Sequence, residues 1–418
     1  MFLIDEIKHF VFKQEPNTFV QAPSRINLIN PLDAVEGDYW MPSVAINGIE
    51  NPLSTFVYIK KIENESIIKF YKIECEGLKP KVLLDFQINL VKRDSYLEKV
   101  SDDKLRLVYA SIYRFSKYNR FFWNKFLEQH IEIGIITTIP RQSGLGGSAS
   151  IIIALLYGLA EHFGVFNNFA HLKNGEFPVN KDVIAEMATQ VEDKDLKITA
   201  GYSDRYVISR GGLCFCSYYG KLYHKDFSDE PLAVYDKISE TYNIKNLPLI
   251  ICYSGLIHES GSIHSKLRKR YLENDQKILK NYEKIAEIAW RSRFAIMRKD
   301  WFLLGKYFKM NTDIMNNVMK EVGFSHGIGQ VNNLLIKLIQ DDPDVYAVKL
   351  TGAGGGGSVF ALVKPEKLDN VLLEWKNKLD NLVMDKNKEF TLPLNIRESL
   401  KNAEFYKITI DHDGVKKL

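Results

Sequence analysis

The chain has 418 residues, 45% hydrophobic and 12% aromatic, which is enough for more than one buried core and long for a single domain. Its 56 basic and 52 acidic residues leave a formal net charge of +4, without the concentrated basic field that nucleic-acid binding requires; small acidic ligands remain compatible. The opening MFLIDEIKHFVFKQE is broken by Asp5, Glu6 and Lys8 before a signal-length apolar run develops, and no run of about 18 apolar residues occurs elsewhere, so a cytoplasmic protein with no membrane partner is expected.

In chain order, the first 90 or so residues carry short apolar or alternating runs, Arg25 to Ile29, Leu53 to Ile59 and Val82 to Leu90, punctuated by Gly, Pro and Asn, and read as β-rich. Leu105 to Leu127 has aromatic and aliphatic residues at helical spacing, and the β-branched Ile131 to Ile139 reads as a strand. PRQSGLGGSAS and the apolar stretch Ile151 to Phe163 complete a strand, glycine-rich loop and buried helix. Lys181 to Val191 is a helix candidate, and GGLCFCSYYGKLYHKDF suggests a hairpin around Tyr219-Gly220. Cys75, Cys214, Cys216 and Cys252 are too few and irregular for a disulfide framework; Cys214 and Cys216 read as same-face residues of a buried strand.

The irregular, acidic stretch between Phe227 and Asn246 separates two strand-rich blocks, which places a boundary near residue 235 and gives domains 1–235 and 236–418. Beyond it, LPLIICYSG opens a second α/β stretch. Ile278, Tyr282, Ile285 and Ala289 form one amphipathic stripe, and Val331, Leu334, Leu335, Leu338 and Ile339 another. The strands VYAVKL and VFALV flank TGAGGGGS, and FYKITIDHDGVKKL ends the chain on a strand and an Asp-Gly turn.

Gly144, Gly146 and Gly147 stand between a strand and a helix, where several backbone N–H groups can turn inward without Cβ obstruction. The following helix points its positive end at the same place, which suits a nucleotide diphosphate, and Ser148 can offer a hydroxyl to Mg²⁺ or a phosphate oxygen. Neither the Walker A pattern nor the Rossmann glycine spacing is met. The competing reading is an ordinary strand-to-helix turn with a serine cap.

PRQSGLGGSAS resembles the second motif of the GHMP superfamily of small-molecule kinases, with Gly147 in place of a serine. QAPSRINLINPLD resembles its first motif and KLTGAGGGGSVFAL its third, in the same order along the chain. The resemblance implies an α+β fold: an N-terminal domain like domain 2 of ribosomal protein S5, a ferredoxin-like C-terminal domain, and ATP with Mg²⁺ between them. It places Pro140, Gly144, Leu145, Gly146, Gly147, Ser148, Ala149 and Ser150 at the nucleotide, backed by Gly354 and Gly355.

Phosphoryl transfer to a hydroxyl calls for a proton acceptor and a metal on the γ-phosphate, hence carboxylates in two roles. By the same resemblance Asp204 is the base, Arg25 is the cation beside it, and Ser148 with Glu192 or Asp193 holds Mg²⁺. Several segments resemble the glucuronokinase branch: Asn30, Pro31 and Asp33 in the first motif, Gly201, Asp204 and Arg205 around the base, and SGSIHSKLRKRY. They imply substrate contacts from Asn30, Asp33, Arg205, His264, Arg268 and Arg270, and a uronic acid phosphorylated at C1, since guanidinium forks suit carboxylates. KITIDHDGV resembles the heptose-phosphate kinase branch, which keeps a neutral sugar or sugar phosphate as the alternative. A mevalonate-pathway enzyme and a non-catalytic sugar and ATP sensor are the other readings.

Overall fold

The computed structural model describes residues 3–29, 41–73, 80–88, 92–99, 105–167, 179–218, 233–257, 260–384 and 393–418. The strands are β1 Thr18–Asn27, β2 Met41–Gly48, β3 Ser54–Lys61, β4 Ser66–Ile73, β5 Pro80–Ile88, β6 Ile131–Thr137, β7 Leu213–Tyr218, β8 Ala233–Asp236, β9 Leu249–Tyr253, β10 Val345–Leu350, β11 Ser358–Val363, β12 Glu404–Ile410 and β13 Lys416–Lys417. The helices of the first half are α1 Leu3–Phe12, α2 Arg93–Glu98, α3 Arg106–Tyr118, α4 Arg120–Leu127, α5 Gly147–His162, α6 Lys181–Gln190 and α7 Ser203–Arg210. Those of the second half are α8 Ile238–Thr241, α9 Ser260–Leu272, α10 Gln276–Met297, α11 Trp301–Glu321, α12 Gln330–Ile339, α13 Leu368–Met384 and α14 Leu394–Leu400.

Strand pairing is continuous in the order β10-β11-β9-β12-β2-β1-β3-β6-β4-β5, with β13 on β1, β7 on β2 and β8 on β7. Two strands make this continuity. β12 pairs with β9 through Glu404 to Lys407 and then with β2 through Ile408 to Ile410. β1 pairs with β3 as far as Pro23 and with β2 from Ser24 onward; the partner changes at the proline, which has no N–H to give a ladder. The chain's last strand returns to β1, at Val20 and Gln21, so elements from beyond residue 400 complete the first half.

One core lies between the sheet and α3 to α7, with Ile152, Leu155, Leu156 and Leu159 of α5 at its centre. α5 is apolar on nearly every face, as a helix covered on all sides must be. Gly158 lets it approach the sheet closely: a Cβ there would stand 3.3 Å from Val20 and 3.6 Å from both Val57 and Ile59. The other core joins α9 to α13 with β9 to β12, and it reaches across to Ile26, Val44 and Ile46.

Two local readings change. The opening segment, read as part of a β-rich region, begins with α1, whose Ile7 and Val11 fall four apart and pack on Phe19, Phe56 and Tyr58. The helical stretch through Leu127 breaks at Asn119, whose extended backbone and side-chain bond to the Phe122 N–H (2.8 Å) start α4. β7 pairs with β8, Tyr218 opposite Ala233, while Tyr219 and Gly220 lie outside the described residues. Cys214 and Cys216 both lie buried on β7 with their sulfurs 3.4 Å apart; Cys75 lies outside the described residues. Among the described residues no helix is long and apolar enough to cross a membrane.

Candidate active site

Arg25 and Asn27 are two apart on β1 and therefore on one face of it; Ser24 faces the other way. Arg25 grips Asp204 through two N–H groups, and a third, from Nη1, donates to the Gly144 carbonyl at 2.6 Å. Asn27 Nδ2 donates to Asp204 Oδ1 and to Ser43 Oγ, each at 3.1 Å. Ser24 Oγ donates to the Leu145 carbonyl at 2.7 Å. One strand thus holds the carboxylate and the glycine-rich loop in a fixed relation.

Asp204 sits in the first turn of α7, where the helix dipole favours an anion. Burial pushes its carboxyl up, but the Arg25 charge and the bonds from Arg25 and Asn27 outweigh burial and hold it below the usual carboxylate range. Its side chain stays 17% exposed, enough to meet a hydroxyl.

The glycine-rich loop turns through Gly144 (φ +75°) and Gly146 (φ +82°), and α5 starts at Gly147 with no side-chain cap on its N-terminus. A Cβ at Gly146 would stand 3.1 Å from both Arg25 Cγ and Ile208 Cδ1, so the loop must be bare to lie this close to β1 and α7. Ser148 is exposed at the head of α5. Leu145, Ala149 and Ser150 send their side chains into the core, Ser150 Oγ donating to the Ala22 carbonyl at 3.0 Å, so what these three can offer a nucleotide is main chain.

The second glycine run packs against this loop from behind. A Cβ at Gly357 would stand 2.7 Å from the Ser143 carbonyl oxygen, and one at Gly352 would stand 3.2 Å from Gly144 Cα. Gly354 and Gly355, named from the sequence for this role, face the other way: the Gly355 N–H donates to the Ile328 carbonyl at 2.6 Å. Thr351 Oγ1 accepts from the Asn27 N–H at 3.2 Å, which ties all three motifs into one junction.

A π-helical turn, Val191–Asp195, carries the acidic cluster. Glu192, buried, is ion-paired with Arg205, whose Nη1 lies 3.6 Å from Asp204 Oδ2 and donates to the Gly201 carbonyl at 3.0 Å. Asp193 Oδ1 is 2.8 Å from Arg268 Nη1 on α9 and accepts from the Ala200 N–H at 3.1 Å. Asp195 pairs with Arg114 of α3. His264, one turn before Arg268, is pushed down by burial to about 4 and is neutral at pH 7; its Nδ1 is buried without a partner.

Of the sequence-derived set, Arg25, Gly144, Gly146, Asp204, Arg205, Glu192, Asp193, Arg268 and His264 come together around β1, α7 and α9. Arg270 does not join them: it bonds Asp275 and the Glu321 carbonyl. Asn30 and Asp33 lie outside the described residues. Sequence reasoning passed over Asn27 and Thr351, although both stand inside quoted motifs as polar residues among apolar neighbours. A polar hollow of about 590 Å³ between α11 and the start of α12 is walled by residues such as Asn316, Lys320, His326 and Asn333, outside the three motifs.

Residues 106–212 match the family of GHMP kinases N terminal domain, and residues 296–381 match GHMP kinases C terminal. Probable glucuronokinase 2 of Arabidopsis thaliana is 28% identical over 58% of this chain and 60% of its own length. D-glycero-alpha-D-manno-heptose 7-phosphate kinase of Campylobacter jejuni is 25% identical over 56% of this chain and 61% of its own. The match thus spans about three-fifths of each of these two relatives. The fold is shared with Lactococcus lactis galactokinase complexed with galactose, at a TM-score of 0.60 and 16% identity over 96% of this chain and 95% of that one. With both terminal domains matched in order on a two-part α+β fold, the chain has the two-domain architecture of the GHMP kinases.

Proposed function

We propose that the chain is an ATP-dependent kinase that transfers the γ-phosphoryl group to a hydroxyl of a small sugar or sugar phosphate. The observation that carries this reading is the junction at Arg25, which binds the candidate base Asp204 and the anion-binding loop at Gly144 with one guanidinium. A hydroxyl at Asp204 and a phosphate chain at the head of α5 are then neighbours, the geometry an in-line transfer needs. Backbone N–H groups at the start of α5 and the exposed Ser148 receive the phosphates.

Mg²⁺ would neutralise charge on the β- and γ-phosphates. Among the described residues no group of three His, Cys, Asp or Glu side chains is gathered for a metal, which fits an ion carried mainly by phosphates with one or two protein oxygens. Ser148 and Glu192 are the proposed donors, Glu192 exchanging its pair with Arg205 for the metal. Asp193 is spent on Arg268 and the Ala200 N–H, a clamp on the loop that precedes α7.

Asp204 orients the attacking hydroxyl and accepts its proton as the phosphoryl group departs. A low-pKa carboxylate suffices for this, because a loose phosphoryl transition state asks for little proton removal before transfer. The acceptor is read through hydroxyls. Arg25, Arg205 and Arg268 each already answer a carboxylate of the chain, so a substrate carboxylate would have to displace an internal one. The second reading, a uronic acid, draws on the glucuronokinase likeness. ADP release, measured across neutral sugars, sugar phosphates and uronic acids, tests the proposal; release with none of them, by protein that binds ATP, leaves the sensor reading instead.

A further inference from the structure

The glycine run has almost no side chains with which to hold its own shape, and Gly352, Gly354, Gly355 and Gly357 all have φ between +77° and +93°. Such a segment has more conformational freedom to lose than any other, so something outside it must fix it. α12 does this from behind. The loop that enters α12 supplies the Ile328 carbonyl to the Gly355 N–H at 2.6 Å, and Gly329 lies so close that a Cβ would stand 2.9 Å from Gly355 Cα. In the first turn of α12, Asn332 donates its Nδ2 to the Gly356 carbonyl at 3.0 Å.

Asn332 is fully buried, and its Oδ1 has no partner. Half of a buried amide is therefore left unsatisfied, where an apolar side chain of the same volume would pack without that cost. Its value lies in the bond it makes. That bond fixes Gly356, next to Gly357, and Gly357 presses on the Ser143 carbonyl at the entrance to the phosphate loop. Asn333, its neighbour, faces another way, donating to the His326 carbonyl at 3.0 Å.

We infer that Asn332 is a positioning residue for nucleotide binding: through the Gly356 carbonyl it holds the glycine run against the phosphate loop, although it touches neither the loop nor the ligand site. The inference rests on the kinase reading above. The geometry is a relay of three links, α12 to Gly356, Gly357 to Ser143, and Ser143 to Gly144 at the head of the loop. Loss of the first link frees the run and leaves the loop's N–H groups less well ordered for phosphate, while the acceptor side, built on Asp204, is untouched.

The test is a calorimetric titration of the full chain with MgATP in the absence of acceptor, for the wild type, Asn332→Leu, Asn332→Ala and the control Asn333→Ala, with thermal midpoints for each. Asn332→Leu fills the volume without a donor, so it stays informative if the alanine variant is poorly folded. The expected result is a Kd for MgATP raised about tenfold in both Asn332 variants, the scale of one lost buried hydrogen bond, and unchanged in Asn333→Ala. The leucine variant should keep its thermal midpoint, and at saturating ATP its kcat and acceptor KM should stay within a few-fold of wild type. A lowered midpoint with Kd within twofold of wild type overturns the inference by showing a purely structural role. A wild-type chain that binds no MgATP overturns the kinase reading, and the inference with it.

Discussion

The proposed acceptor side of the site and its proposed phosphate side are built from opposite kinds of electrostatics. Around residues 192–205 the charges are side chains, and they answer one another: Arg25 with Asp204, Arg205 with Glu192, Arg268 with Asp193 and Arg114 with Asp195. Around residues 144–148 the positive potential comes from main-chain N–H groups at an uncapped helix start, with the exposed Ser148 beside them. A region whose charges cancel internally discriminates by shape and hydroxyl pattern; one whose dipoles are left open draws anions. On the proposed reading, the contrast puts the triphosphate at the loop and a hydroxyl face of the acceptor at Asp204.

The largest effect should come from Asp204→Asn, which keeps the shape but removes the proton acceptor: kcat should fall by roughly 10²–10⁴ with MgATP affinity unchanged in a titration. Full turnover in that variant would erase the distinction between the two sides. On the phosphate side, Gly357→Ala forces a side chain into positive φ and against the Ser143 carbonyl. Backbone strain of about 1–2 kcal/mol should raise the MgATP Kd about tenfold while the acceptor KM holds.

Glu192→Gln should raise the Mg²⁺ concentration for half-maximal rate by about tenfold as Glu192 exchanges Arg205 for the metal, whereas Asp193→Asn, a clamp on Arg268 and the Ala200 N–H, should leave it nearly unchanged. The reverse pattern in a Mg²⁺ titration would move the ligand by one residue. Acceptor choice sharpens the comparison further. A neutral sugar should exceed the matching uronic acid in kcat/KM by about tenfold, the scale of one charge-assisted bond, since Arg25, Arg205 and Arg268 are each already paired with a carboxylate. A uronic acid winning by the same factor would show that one of these arginines exchanges partners on binding.

The smallest effect concerns pH. His264 and His162 are both pushed by burial from 6.5 to about 4, so the folded chain stays unprotonated at these sites where the unfolded chain takes up protons. Their contribution is complete above pH 6.5 and is lost as pH falls toward 4. Thermal midpoints should therefore decline across that window, and His264→Gln should make the decline shallower. An unchanged slope would mean that His264 is already charged in the folded state.

The three glycine- and proline-marked motifs, their order and the elements flanking them were legible because each depends on residues close in sequence. The loop before α5 needs glycine at positive φ, β6 needs its β-branched residues, and α10 and α12 need their apolar stripes. The α+β class was what the resemblance of those motifs implied. α1 was missed because Leu3, Ile7 and Val11 carry a helical period too short to stand out beside Asp5, Glu6 and Lys8.

What the sequence could not decide is which charge meets which. Arg25 and Arg270 both lie in motif-like segments, yet one reaches Asp204 across 179 residues and the other bonds Asp275, five residues away. Likewise the glycine run announced a close backbone approach, but only packing decided that Gly352 and Gly357 meet the phosphate loop while Gly354 and Gly355 meet Ile328. Asn332 gave no signal at all, being a polar residue in an amphipathic helix. Local conformation is set by short-range sterics and hydrogen bonding, and these are written residue by residue; ion pairs and backbone approaches depend on how β1, α7, α9 and α12 dock, which no single segment specifies.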